Sequence, residues 1–81
     1  PQRARISITD RGLVNILFDD VPTEPVKVSV YSSGGVLVDM KTLGCGITEH
    51  SIDLSRMPDG VYIIQLTSRD KSITGSQLVR L

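Results

Sequence analysis

Ile52-Asp53-Leu54-Ser55-Arg56-Met57-Pro58-Asp59-Gly60-Val61-Tyr62-Ile63-Ile64-Gln65-Leu66 reads as a short strand, a corner, and the most apolar strand of the chain. Ile52 and Leu54 alternate with polar residues before the corner. Tyr62, Ile64 and Leu66 recur at every second position after it. A period of two is that of a strand with one buried face. Pro58, Asp59 and Gly60 suit positions i+1, i+2 and i+3 of a type I turn. The stretch therefore predicts two strands joined by a tight corner. Tyr62, Ile64 and Leu66 face a core; Val61, Ile63, Gln65 and Thr67 face away from it.

The same period runs outward from this stretch. Arg3 to Thr9 alternates with Ile6 and Ile8 on one face, and Asp10-Arg11-Gly12 supplies a turn. In Leu13 to Phe18, Val14, Ile16 and Phe18 share the core face, which leaves Leu13 and Leu17 on the other. Two prolines and three acids between Asp19 and Pro25 exclude a central strand there. Val26, Val28 and Val30 point inward on the next strand, with Lys27, Ser29 and Tyr31 outward. Ser32 to Gly35 turns the chain into a strand over Val36 to Thr42, with Val36, Val38 and Met40 expected inside. Leu43 to Thr48 carries little pattern. The last strand spans Ser72 to Leu81. Ile73, Val79 and Leu81 agree on a face there, Leu78 is out of phase, and Gly75 suggests a bulge or a close backbone approach. No stretch shows helical periodicity over ten residues. About seven short antiparallel strands at regular spacing predict an all-β sandwich.

Composition narrows the function classes. A chain of 81 residues allows one domain, here taken as 1–81, with a small core. Aromatics are 4% and Trp is absent, so aliphatic side chains must fill that core. Nine basic and nine acidic residues give zero net charge, which argues against a nucleic-acid surface. Arg3, Arg5 and Arg11 lack interleaved aromatics and read as a solvated strand face. No apolar run approaches the ~18 residues of a membrane-inserted helix. Cys45 is the single cysteine, so no intramolecular disulfide forms. The opening residue is Pro1, which suggests a processed product.

Several residues carry chemistry in other contexts. Cys45 and His50 are a possible nucleophile and base, yet no third orienting residue accompanies them. Cys45 reads better as a small buried or semi-buried hydrophobe and His50 as an ordinary strand histidine. Asp19, Asp20 and Glu24 lack the spacing of a calcium loop. Asp59 has a place in the turn, which weakens a pairing with Asp53 as acid and base. Ser33-Gly34-Gly35 precedes no helix and cradles no phosphate. No catalytic, cofactor or metal residue is assigned. Leu13, Leu17, Val61 and Ile63 are apolar residues on faces turned from the core, and as a contiguous patch they would mark an interface.

Val28 to Val38, then Ile52 to Leu66, then Gly75-Ser76-Gln77-Leu78-Val79, resemble two related groups. One is the C-terminal sorting domain of the bacterial type IX secretion system. The other is a family of short secreted Gram-negative proteins of unknown function with an immunoglobulin-like fold. The I-D-L-S-x-M-P-x-G-x-Y segment is the most specific part. The resemblance implies that Pro58, Asp59, Gly60 and Tyr62 form a structural corner. Tyr62 would be the tyrosine-corner residue, its ring in the core and its hydroxyl on nearby backbone. Ile64 stands where antibody domains carry cysteine. Neither group supplies a catalytic residue. The expected function is a non-catalytic secreted, periplasmic or cell-surface module. It would bind a protein partner, or a second copy, through a sheet edge or aliphatic patch. The alternatives are a type IX sorting domain and, least supported, a Cys45/His50 enzyme.

Overall fold

A computed structural model describes residues 4–9 and 12–81. Seven antiparallel strands build two sheets. They are β1 (Ala4–Ile8), β2 (Leu13–Phe18), β3 (Val26–Ser32), β4 (Leu37–Leu43), β5 (Glu49–Asp53), β6 (Val61–Ser68) and β7 (Thr74–Arg80). One sheet has the order β1-β2-β5 and the other β4-β3-β6-β7. The chain crosses between sheets after β2, β4 and β5. The expected start at Arg3, the turn residues Asp10 and Arg11, and two of the three N-terminal arginines lie outside the described residues.

The core forms where the alternating faces meet. Val14, Ile16 and Phe18 from β2 oppose Val26, Val28 and Val30 from β3 and Tyr62, Ile64 and Leu66 from β6; all are buried. Each buried aliphatic side chain contributes about 1.5–3 kcal/mol. Ile64 is fully enclosed, so aliphatic packing fills the position a cysteine takes in antibody domains. Val79 in β7 and Ile73 just before it are buried while Leu78 is 64% exposed, which settles the facing of the last strand.

Four expectations are corrected. Val36 and Met40 are exposed, whereas Val38 packs against the core. Val36 precedes β4, where its carbonyl closes the hairpin turn by accepting the Ser32 N–H. For Met40 the cause is a bulge: Val30 pairs with Asp39 but Tyr31 pairs with Leu37, so Val38 is an extra residue. The bulge reverses the phase of β4, turning Met40 out and setting Asp39 and Lys41 opposite the core valines Val30 and Val28. Gly75 sits in unbroken register opposite Leu66, and an added Cβ there meets nothing within 4 Å. Cys45 is exposed in the turn between β4 and β5.

The fourth correction concerns the corner. The hydrogen-bonded turn lies earlier than expected, with the Met57 N–H donating to the Leu54 carbonyl at 3.0 Å. The Asp53 carboxylate nucleates it by accepting the Ser55 N–H at 2.9 Å. Pro58, Asp59 and Gly60 then form an open bend. Gly60 holds a φ of 150° and exchanges backbone hydrogen bonds with Leu81 (3.3 and 2.8 Å). The tip of the β1–β2 hairpin docks on this corner: Gly12 accepts from the Leu54 N–H at 2.9 Å. A Cβ at Gly12 would lie 3.2 Å from the Ser55 backbone.

Candidate functional site

The outer face of the four-stranded sheet carries a row of apolar side chains. Leu37 pairs with Tyr31, Tyr31 with Ile63, and Ile63 with Leu78. Four strands at ~4.8 Å spacing make this row about 14 Å long. Its ends, Leu37 and Leu78, are 47% and 64% exposed, and its centre is half-buried. Met40 and Val61 flank it. Met40 ends the next row, whose other members, Ser29, Gln65 and Ser76, are polar.

The four residues expected as an interface are divided between two surfaces. Val61 and Ile63 belong to this face. Leu13 and Leu17 lie on the outer face of the other sheet, across the full thickness of the sandwich. There Leu17 sits between Arg5 and Glu49, and Leu13 opposite Asp53. Between the two leucines, the Ser51 hydroxyl donates to Asn15 at 2.7 Å. Polar neighbours thus isolate each leucine, while the β4-β3-β6-β7 face gathers its apolar residues. Leu37, Tyr31 and Leu78 were missing from the expected set. Leu78 carried a signal, since its phase conflicted with that of Ile73 and Val79; the alternation of their strands also turned Tyr31 and Leu37 outward, but only the register lines them up with Ile63.

The corner residues have structural partners. The Tyr62 hydroxyl donates to the Pro58 carbonyl at 2.7 Å, and its ring is buried. A groove of about 470 Å³ lies between this corner, the first hairpin and the chain end, with Gly12, Met57, Asp59 and Leu81 among its walls. A second hollow of about 220 Å³ opens between the edges of β4 and β5. Asp39, Lys41 and His50 meet there above Val28 and Ile52. Partial burial holds the His50 imidazole below its usual value, reinforced by Lys41 and opposed by Asp39. Among the described residues, no hydrogen bond joins Cys45 to His50. Asp19 forms an exposed ion pair with Arg5 at 3.7 Å. No group of three acidic, histidine or cysteine residues is placed to hold a metal among the described residues.

Two carboxylates, Asp53 at the end of β5 and Asp70 in the turn after β6, are held below the usual value of 3.8 by hydrogen bonds. Asp53 is lowered by the side chain and N–H of Ser55. Asp70 is lowered by the hydroxyl and N–H of Ser72 and by the Ser68 hydroxyl. Both acids organise turns.

The sequence and fold place the chain among known proteins. The family model described as "Secretion system C-terminal sorting domain" matches residues 10–80. No curated protein matches the chain. Among solved structures, the chain is similar to a DUF3244 family protein from Bacteroides vulgatus ATCC 8482 with an immunoglobulin-like β-sandwich fold. Identity is 12% and the TM-score is 0.84, over 99% of this chain and 85% of the other. At that identity the likeness shows the fold, an immunoglobulin-like β-sandwich.

Proposed function

We propose that this chain, which belongs to the secretion system C-terminal sorting domain family, acts as a folded, non-catalytic export signal read by the type IX secretion machinery. The family match over residues 10–80 carries the proposal. The apolar row on the outer sheet face supports it, because a signal must offer a recognition surface without unfolding. The protein that bears the signal is directed to the cell surface or the medium. A fusion tests this: residues 1–81 are joined to the C-terminus of a periplasmic reporter in a Gram-negative host with a type IX system. The reporter reaches the surface or medium in that host and stays in the periplasm when the system is deleted. Retention in the periplasm of both strains overturns the proposal.

The exposed row favours one second reading, a protein-binding module at the cell surface. The same fusion separates the two, since such a module alone confers no type IX-dependent export.

A further inference from the structure

Four strands end a sheet: β1, β5, β4 and β7. An edge strand offers unpaired backbone groups, and proteins guard such edges with short length, charge, proline or bulges. β1 and β5 are five residues long. β4 carries Asp39, Lys41 and the bulge, and its Met40 N–H is already satisfied by the Asp39 carboxylate at 2.8 Å. β7 differs from all three, although β1 of the other sheet lies alongside it without a backbone hydrogen bond among the described residues. Its seven residues keep unbroken register with β6, contain no proline, and include one charge, Arg80.

The hydrogen-bond phase identifies which groups of β7 are not used by β6. Gly60 and Leu81 exchange two backbone bonds at one end of the β6–β7 pair, and the Ser68 N–H donates to Ile73 at the other. Bonded and non-bonded pairs alternate along an antiparallel ladder. Val79, Gln77 and Gly75 therefore bond to β6. Thr74, Ser76, Leu78 and Arg80 direct their N–H and C=O groups away from it. The side chains of these same four residues lie on the outer face, with Leu78 ending the apolar row.

We propose that the β7 edge is a strand-addition site, and that its occupant is an extended strand of the export machinery, apolar beside Leu78 and acidic beside Arg80. This rests on the sorting reading above. Main-chain bonds to the free groups would supply affinity, and the apolar row would gain a fifth member. Arg80 is exposed and has no ion-pair partner among the described residues, so a carboxylate on the incoming strand complements it. Charge selects a different strand over a second copy: β7 carries Arg80 and no carboxylate, so β7 of a second copy would bring no acid to Arg80.

The test uses the reporter fusion in the type IX-competent host. Ser76→Pro removes an outward donor that β6 does not use, and Ser76→Ala removes the hydroxyl while keeping the donor. Leu78→Lys keeps the backbone and charges the edge, which covers the case in which the proline disturbs folding. Melting curves verify the fold of each purified domain. The expected result is a drop in exported reporter of about tenfold or more for Ser76→Pro and Leu78→Lys, with Ser76→Ala unchanged. Normal export of folded Ser76→Pro and Leu78→Lys overturns the edge proposal and leaves the sorting reading standing. No export of the unmodified fusion overturns both. A purified domain that is dimeric, and that Leu78→Lys makes monomeric, identifies the occupant as a second copy and also overturns the proposal.

Discussion

The Tyr62 hydroxyl and ring act at two places at once. The ring fills the core beside Ile64, and the hydroxyl ties the start of β6 to the Pro58 carbonyl. Tyr62→Phe should cost about 1 kcal/mol, the net worth of one hydrogen bond. Tyr62→Ala should cost about 3–5 kcal/mol, because it also opens a cavity. Urea unfolding of the two variants separates these contributions. Two glycines allow a similar dissection. Gly12 and Gly35 have nearly the same left-handed φ, 82° and 84°, but only Gly12 has backbone within reach of an added Cβ. Gly35→Ala should cost about 1–2 kcal/mol from conformation alone, and Gly12→Ala should cost more in the same measurement. The carboxylates give a pH signature. Asp53 and Asp70 have folded-state pKa values below 3.8, so their contribution is present above that pH and is lost as pH falls through the folded values. His50 is also lowered, from 6.5. The neutral imidazole is favoured in the fold, and stability declines as pH drops below 6.5 toward the folded value. The melting temperature should therefore fall in two stages on acidification. Asp70→Asn should weaken the lower stage, and His50→Gln should remove the upper one.

At the scale of elements, β2, β3 and β6 were legible from period-two alternation because each has neighbours on both sides and one face in the core. β4 was not. Its phase depends on the bulge at Val38, which relieves pairing with β3 and leaves no residue-type mark. Met40→Lys should change stability by less than about 0.5 kcal/mol, as expected of a surface position. Val38→Asp should cost several-fold more in a denaturant titration, because Val38 packs on the core. The reverse ranking would place the bulge elsewhere. The corner shows a related limit. Pro58-Asp59-Gly60 has the composition of a type I turn, but Asp53 captures the Ser55 N–H first and sets the turn between Leu54 and Met57. A competing side-chain bond two residues away decided the geometry. The apolar outer face was half legible: Val61 and Ile63 announced it by phase, while Leu37, Tyr31 and Leu78 join them through register, a long-range property that no local pattern contains.

At the scale of the molecule, the most distinctive stretch of sequence builds the corner, while the apolar row and free edge lie on the four-stranded sheet it anchors. Core and corner fix a rigid sandwich; the exposed sheet face and the β7 edge offer the contacts. This division predicts that export tracks surface changes on the β4-β3-β6-β7 sheet at constant stability. Changes at Leu13 or Leu17, isolated on the opposite face, should leave export intact. The most direct measurement is the fraction of reporter accessible to added protease on intact cells, for the fusion carrying residues 1–81, in a type IX-competent strain and its deletion mutant. The reporter should be accessible in the competent strain and protected in the periplasm of the mutant. Equal protection in both strains, with the fused domain shown to be folded, would contradict it.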